Sequence, residues 1–312
     1  MPVQSDANLT LADRYAGVLL GLASGDALGA AVEFMDRDQI AAAHPDGLRD
    51  FIGGGWLHVK PGEITDDTQM ALCLCNSLTR AGVDMNLLTE QFLKWYRSNP
   101  KDIGNTTARS LAALAAGASW EEAGNAALGN RPIEAAAANG GVMRCAPVAL
   151  RFRAQRERLV QASLDTARIT HIEPRAMWGT VAVNQGIVHL LEGGGFDDLA
   201  QAAVAGVDNP EVRDRVLAAR DLDLLAIHAG GFVLDTIGAA FWAVLNHDSL
   251  EDAIVAAVAL GHDTDTTGAV AGALAGAAWG ASAIPSRWLD LLEPREELEA
   301  HAARLLALAE GD

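Results

Sequence analysis

Two series of glycines, each repeating at every fourth residue, restrict how this chain can fold. They are Gly17, Gly21, Gly25 and Gly29, followed much later by Gly268, Gly272, Gly276 and Gly280. Four residues advance an α-helix by about 400°, so each series leaves a groove without side chains along one helical face. Each glycine also weakens its helix by roughly 0.8–1 kcal/mol relative to alanine. Close approach of a neighbouring helix is the simplest compensation, and we therefore expect both helices to be tightly packed.

The rest of the chain also has the pattern of helices rather than strands. Ala and Leu abound, aromatic residues make up 5% of the chain, and Val and Ile do not cluster into alternating strands. No segment has the composition of a long linker, so we expect one all-α domain covering residues 1–312. The periodic segments predict helices at 10–33, 66–82, 86–98, 105–117, 155–170, 174–192, 211–228, 232–246, 249–260, 266–281 and 295–309.

Composition limits the classes of function. A formal net charge of -18 disfavours a nucleic-acid groove, which needs a basic surface. The three cysteines, Cys73, Cys75 and Cys145, lack the spacing of a disulfide framework and fit a reducing compartment. The start of the sequence does not resemble a secretory signal, and the Ala/Gly-rich segment 267–285 is a poor candidate for a membrane span. We expect a cytoplasmic protein with no integral membrane segment.

Two short acidic clusters carry the clearest chemical signal. They are Thr65-Asp66-Asp67-Thr68 and Asp263-Thr264-Asp265-Thr266. Carboxylates that are brought together repel one another unless a positive charge lies between them. Ligation by oxygen atoms alone suits a hard cation such as Mg²⁺ or Mn²⁺ and suits Zn²⁺ poorly. If the fold joins the two clusters, they would form a site for two metal ions.

Simpler interpretations of the clusters have to be considered. Thr65 can cap the helix that follows it, with acids in the first turn at the positive end of the helix dipole. Thr266 or Thr267 can cap the second helix in the same way. An EF-hand loop that begins at Asp263 fails, because Leu274 occupies its twelfth position, where that loop needs glutamate. The D-x-D-x-T pattern also resembles the nucleophile motif of haloacid-dehalogenase-type phosphatases, which need a preceding strand and much more chain afterwards.

Taken together, these motifs resemble the ADP-ribosylglycohydrolase family. Both acidic clusters occur in the order typical of that family, and the similarity covers about residues 12–282. The other segments that carry it are 21–29 with Glu33-Phe34, 139–147, Thr170-His171 and 231–236. The segments 53–62 and 100–107 resemble most the branch that reactivates dinitrogenase reductase by removing ADP-ribose from arginine.

The resemblance implies a single compact helical domain with a binuclear metal centre in a cleft, holding two divalent cations, Mn²⁺ or Mg²⁺. The metal ligands that it implies are Thr65, Asp66, Asp67, Asp263, Asp265 and Thr266. It makes Glu33, beside the metals, and Asp102, near the ribose, the candidate catalytic acids. The residues that it places against ADP-ribose are Gly104, Asn105, Asn139, Gly140, Gly141, Met143 and His171.

Each of these weaker assignments has an ordinary structural alternative. Asp102 can cap the helix predicted at 105–117, and Glu33 can be a solvated helix end. The segment 139–143 can be a tight turn, and a lone histidine such as His171 is more often structural. Phe232 can wall a pocket or belong to the core. Asp26 and Arg144 can form a structural pair and are not assigned a part in catalysis.

The activity that the resemblance implies is metal-dependent hydrolysis of the N-glycosidic bond between ADP-ribose and an arginine of a modified protein. Dinitrogenase reductase is one candidate target, ADP-ribose is the expected ligand, and we expect a monomer. Two alternatives stay open: an ADP-ribose-binding protein without catalysis, and a hydrolase of another ADP-ribosyl linkage. A metal-dependent phosphatase is disfavoured because the sequence has no basic cluster to hold phosphate. A metal-free glycosidase with two carboxylates leaves the second pair of acids unexplained.

Overall fold

The structure is a computed structural model that describes residues 9–311. Within these residues every regular element of secondary structure is a helix. Only isolated β-bridges occur between these residues, so the all-α prediction is confirmed. The α-helices are α1 (Leu11–Gly29), α2 (Arg37–Ala43), α3 (Asp66–Ser77), α4 (Met85–Arg97), α5 (Asn105–Ala115), α6 (Trp120–Leu128), α7 (Ala146–Arg151), α8 (Arg156–Arg168), α9 (Pro174–Leu191), α10 (Phe196–Ala203), α11 (Pro210–Leu217), α12 (Val233–Asn246), α13 (Leu250–Val258), α14 (Thr264–Trp279), α15 (Ser286–Leu289) and α16 (Arg295–Glu310).

Every predicted segment contains a helix, but three of the predicted helices end early. The segment 10–33 stops being helical at Gly29 and continues as a turn. The segment 66–82 stops being helical at Ser77, because Leu78 turns into an isolated bridge with Val83. The segment 211–228 ends as an α-helix at Leu217 and continues as two short 3₁₀ turns. The guanidinium of Arg37 donates to the carbonyl oxygens of Leu224 and Ile227 in this second half and so ties it to α2.

The two glycine-rich helices, α1 and α14, pack against each other in antiparallel orientation, and their two grooves are face to face. A Cβ atom added to a glycine of one helix would overlap the backbone of the other helix. The facing pairs are Gly17 with Gly276, Gly21 with Gly272, and Gly25 with Gly268. The predicted close approach is therefore confirmed.

One glycine of the second series, Gly280, has a different environment. Gly280 lies just after α14, has a φ of 79°, and faces the side chain of Asp13. At the other end of the pair, Gly29 lies against the backbone of Thr264 and Asp265. The end of α1 is thereby held beside the start of α14, which is where one acidic cluster lies.

The helix pair α1 and α14 lies at the centre of the hydrophobic core. All of α14 from Thr264 to Ala278 is buried, as is α1 from Gly17 to Gly29. Helices α9, α12, α13 and α16 pack around the pair. Cys73, Cys75 and Cys145 are free and buried. No helix within residues 9–311 combines the length and the apolar composition that crossing a bilayer requires.

Candidate metal centre and ligand cleft

The first acidic cluster starts α3, but its threonine does not cap that helix. Thr65 occupies the N-cap position without a side-chain cap bond. Its hydroxyl donates instead to Asp26 Oδ1 at 2.8 Å, and its oxygen lies 3.4 Å from Asp67 Oδ2 and 3.5 Å from Asp265 Oδ2. The capping interpretation of Thr65 is therefore wrong, because the side chain is turned toward the acids.

Asp26 organises this turn. It is fully buried in α1 and accepts hydrogen bonds from the backbone N–H groups and the hydroxyls of Thr65 and Thr68. The possible pair between Asp26 and Arg144 does not form, because Arg144 donates to Thr170 Oγ1 at 2.6 Å and to the Thr166 carbonyl. Asp26 thus accepts the hydrogen bond of the Thr65 hydroxyl, which leaves the lone pairs of that oxygen to face the other carboxylates.

The second acidic cluster lies at the start of α14. The helix begins at Thr264, whose hydroxyl donates to the Gly29 carbonyl oxygen at 2.8 Å, so the expectation that Thr266 or Thr267 caps this helix is wrong. Asp263 occupies the N-cap position without capping, and its carboxylate accepts from Asn139 Nδ2 at 2.8 Å. Both clusters therefore direct their side chains away from the usual capping positions.

Two further acids complete the group. Carboxylate oxygens of Glu33, Asp102 and Asp265 lie within 4.8 Å of one another, and Asp102, after burial, contributes to raising the pKa of Asp66. Asp102 does not cap α5, whose N-cap residue is Gly104. Glu33 is only 8% exposed, so it is not a solvated helix end. The structural alternatives for both acids are wrong.

Burial and mutual repulsion perturb the carboxyl groups of Asp66, Asp67, Asp265 and Glu33. Burial, and after it the charges of neighbouring acids, raise the pKa values of Asp66, Asp67 and Asp265 well above their usual range. Burial also raises the pKa of Glu33 to about 8, although a hydrogen bond from Trp56 opposes the shift and Asp102 adds to it. A cation among these groups would relieve the repulsion.

The donor atoms suit a hard divalent cation. Every candidate ligand offers oxygen, which is the preference of Mg²⁺ and Mn²⁺. Asp67 Oδ1 is buried and has no hydrogen-bond partner, and a buried polar atom without a partner calls for an explanation. A cation bound by this oxygen would satisfy it, so the residues present fit a metal centre.

A cleft with a volume of about 430 Å³ opens beside the acids. This volume is within the usual range for small-molecule sites. Gly141 does not line the cleft, because it packs against Thr180. Thr65 and Asp67 are buried behind the residues that line the cleft. The remaining predicted site residues line it, namely Glu33, Asp66, Asp102, Gly104, Asn105, Asn139, Gly140, Met143, His171, Asp263, Asp265 and Thr266.

His171 lies directly behind the glycine turn. A Cβ atom on Gly140 would come 2.6 Å from His171 Cε1, so only glycine permits this approach. The imidazole Nδ1 is 2.8 Å from Thr170 Oγ1, and burial, followed by the charge of Arg144, lowers the pKa of His171 to about 3. The ring is neutral near pH 7 and can offer a ligand a hydrogen bond but no ion pair.

Phe232 and Asn139 have mainly structural contacts. Phe232 is half-buried against the core, with the guanidinium of Arg175 5.3 Å from its ring centre. The amide of Asn139 donates to Thr236 Oγ1 at 2.9 Å as well as to Asp263. Asn139 therefore orients one of the candidate metal ligands.

Asp26, Phe34 and Trp56 are among the residues of this site that were not predicted to take part in it. Asp26 orients Thr65, and the aromatic residues Phe34 and Trp56 line the cleft. The run Gly53-Gly54-Gly55 before Trp56 was the available signal, because three consecutive glycines indicate a backbone with unusual dihedral angles.

Comparison with known proteins agrees with this geometry. The model of the family described as ADP-ribosylglycohydrolase matches residues 7–312. The chain belongs to the ADP-ribosylglycohydrolase family. This confirms the resemblance seen in the motifs, and it places the chain in a family of glycohydrolases.

Two bacterial members of the ADP-ribosylglycohydrolase family are similar along nearly the whole chain. ADP-ribosyl-[dinitrogen reductase] glycohydrolase of Rhodospirillum rubrum is 36% identical over 303 residues, covering 95% of this chain and 97% of that protein. ADP-ribosylarginine hydrolase Tri1 of Serratia proteamaculans is 35% identical over 306 residues, covering 95% and 80%. A solved ADP-ribosylglycohydrolase-related protein complex matches with a TM-score of 0.82 and 36% identity, covering 96% of this chain and 99% of that one.

Proposed function

We propose that this ADP-ribosylglycohydrolase removes ADP-ribose from arginine side chains of modified proteins by hydrolysing the N-glycosidic bond. The observation that carries the proposal is the convergence of two distant acidic clusters with Glu33 and Asp102 at one cleft. The two bacterial relatives are named for ADP-ribosylarginine and for ADP-ribosylated dinitrogen reductase. These names support the arginine linkage, and they make a dinitrogenase reductase a candidate target.

Two divalent cations, Mn²⁺ or Mg²⁺, are the proposed cofactors. Their ligands would be Thr65, Asp66, Asp67, Asp263, Asp265 and Thr266. When bound, such cations supply Lewis acidity to ribose hydroxyls and to water. The proposal is supported by the unpaired Asp67 oxygen and by the raised pKa values of the buried acids.

The side chains of the cleft account for the remaining steps. The backbone at Asn139, Gly140 and Met143 and the neutral His171 hold the nucleotide by hydrogen bonds, which orients the ribose. Asp102 and Glu33 lie within reach of the acid centre and accept and return protons. A bond forms between water oxygen and the anomeric carbon while the bond from that carbon to the arginine nitrogen breaks. One proton of the water passes to the leaving guanidine, and the products are ADP-ribose and unmodified arginine.

Divalent cations are expected to stabilise the folded protein. A ligand that binds only the native state adds about 2.7 kcal/mol to the free energy of unfolding at a hundredfold excess over its Kd. We expect a rise in Tm of several degrees in Mn²⁺ or Mg²⁺ that is reversed by EDTA, measured by calorimetry. Asp265→Ala should abolish the rise. Asp197→Ala, at a carboxylate that is 89% exposed on α10, should retain it, and a rise of equal size in both variants would argue against this centre.

The activity itself can be tested with defined linkages. The protein with Mn²⁺ should release ADP-ribose from an ADP-ribosyl-arginine peptide, with slower release from an ADP-ribosyl-serine peptide. Liquid chromatography of free ADP-ribose measures both reactions. Binding of ADP-ribose without release from any peptide would instead assign a binding protein, and preferred cleavage of the serine linkage would assign a different hydrolase.

The remaining expectations concern assembly. We propose that the chain forms one domain and acts as a monomer. The support for one domain is a single large cluster of buried side chains that includes Tyr15 in α1 and Leu305 in α16. Light scattering during gel filtration would measure the mass of the particle. A cytoplasmic location stays a prediction from sequence.

A further inference from the structure

Two exposed aromatic side chains stand at the edge of the acid centre. Trp56 is 49% and Phe34 is 64% exposed, their ring centres are 5.3 Å apart, and both line the cleft. We call Phe34 and Trp56 the aromatic wall. Large apolar rings left in water lose the stabilisation that burial would give them, and exposed apolar groups beside a cleft mark binding sites.

The backbone conformation at Phe34 places its ring at the cleft. Phe34 has a φ of 66°, which is uncommon for a residue with a side chain. Its N–H donates to the His262 carbonyl at 2.7 Å, while the His262 N–H donates to the Met35 carbonyl at 2.7 Å. This pair of bonds fixes Phe34 to the residue that precedes Asp263. Backbone strain of this kind gathers at functional sites.

Trp56 is held by a turn that depends on glycine. The φ angles of Gly53, Gly54 and Gly55 are 66°, 93° and 65°, and Gly54 pairs with Val59 through two backbone hydrogen bonds. A Cβ atom on Gly55 would lie 2.7 Å from the Ala30 carbonyl oxygen. The turn therefore approaches the end of α1 closely enough for the indole N–H of Trp56 to donate to Glu33 Oε2 at 2.5 Å.

From this geometry we infer that the aromatic wall binds the guanidinium group of the ADP-ribosylated arginine and so selects the cationic linkage. The inference deepens the proposed function and rests on it. A guanidinium is attracted to the face of an indole or phenyl ring, and the carboxyl group of Glu33, which lies next to the indole, has oxygen lone pairs that can accept hydrogen bonds from the guanidinium N–H groups. The wall and Glu33 together match a planar cation.

The position of the aromatic wall indicates that it contacts the arginine of the substrate and not the adenine. The proposed reaction breaks the bond between the anomeric carbon and arginine at the acid centre. Glu33 belongs to that centre and is hydrogen-bonded to Trp56, so the group beside the wall is the leaving group. Adenine is separated from the anomeric carbon by the distal ribose, the diphosphate and a second ribose.

The test compares the modified arginine with the nucleotide alone. Trp56→Leu and Phe34→Leu should each raise KM for an ADP-ribosyl-arginine peptide by roughly 3- to 30-fold, the range of one cation–π contact. The Kd for free ADP-ribose, measured by calorimetry with Mg²⁺ present, should change less than about twofold. Leu225→Ala, at a leucine that is 83% exposed and outside the cleft lining, serves as the control for loss of apolar surface and should change neither value.

Trp56→Phe separates the ring face from the hydrogen bond to Glu33. It should keep KM within about threefold of the wild-type value, because the π face remains. An increase as large as that of Trp56→Leu would overturn the inference, since the N–H group would then be the important part. Equal fold increases in KM for the peptide and in Kd for ADP-ribose would also overturn the inference, because they would place the nucleotide on the aromatic wall. Absence of arginine hydrolysis by the wild-type protein would reject the proposed function itself, which is a distinguishable result.

Discussion

Replacing Asp265 by alanine is expected to lower kcat for ADP-ribosyl-arginine on the order of 10³-fold, the loss typical of removing one preorganised polar group from an active site. Asp265 is 2% exposed. It is the residue at which the candidate metal ligands and the two candidate catalytic acids meet, since its carboxylate lies near Thr65 Oγ1 as well as near Glu33 and Asp102. Its loss would affect cation binding and ribose orientation together. Steady-state kinetics with saturating Mn²⁺ measures the effect.

The same substitution should have the opposite effect on the cation-free protein. Burial and the charges of Asp67 and Asp263 raise the pKa of Asp265 well above its usual range, so its ionised form opposes folding at neutral pH. Without cations, the free energy of unfolding of Asp265→Ala should equal or exceed that of the wild type in urea. Loss of activity together with a large loss of cation-free stability would show instead that Asp265 supports the fold. Asp197→Ala should alter neither quantity.

The acidic clusters and the glycine series could be found from sequence because each is a local pattern with few physical explanations. Two carboxylates beside hydroxyls indicate a cation, and four-residue spacing of glycine indicates close helix packing. The helices that were not predicted, α2, α6, α7, α10 and α15, are short. For two of them the sequence held a signal in the capping boxes Asp36–Gln39 and Ser119–Glu122.

The roles of Asp26 and Trp56 could not be predicted because they depend on contacts between distant segments. Asp26 accepts hydrogen bonds from a helix start 39 residues further along the chain, and nothing in its own helix distinguishes that use from an ion pair with Arg144. Trp56 meets Glu33 only because three glycines adopt positive φ angles. Sequence patterns also could not show that Asn139 would orient Asp263 across 124 residues.

Replacing Gly21 or Gly272 by alanine should destabilise the protein strongly. Alanine favours an isolated helix by roughly 0.8–1 kcal/mol over glycine, so helix propensity alone predicts stabilisation. Here the added Cβ atom of either residue would overlap the carbonyl group of the other, which is backbone and cannot rotate away. Overpacking of a core costs about 1–3 kcal/mol even where side chains can adjust. We expect each variant to lose at least about 3 kcal/mol in the free energy of unfolding, measured in urea.

Gly195→Ala is the matched control for this prediction. Gly195 has an ordinary φ of -82°, and no atom lies within 4 Å of an added Cβ. It is the N-cap residue of α10, where alanine is less favourable than glycine, so the free energy of unfolding of this variant should stay within about 1 kcal/mol of the wild-type value. Unfolding of Gly21→Ala and Gly272→Ala at the wild-type urea concentration would contradict the packing described here. A variant that still folds should also lose the stabilisation by Mn²⁺. Any separation of α1 from α14 moves Asp26 and Thr65 away from Asp265, so the packing of the glycines and the geometry of the acids should fail together.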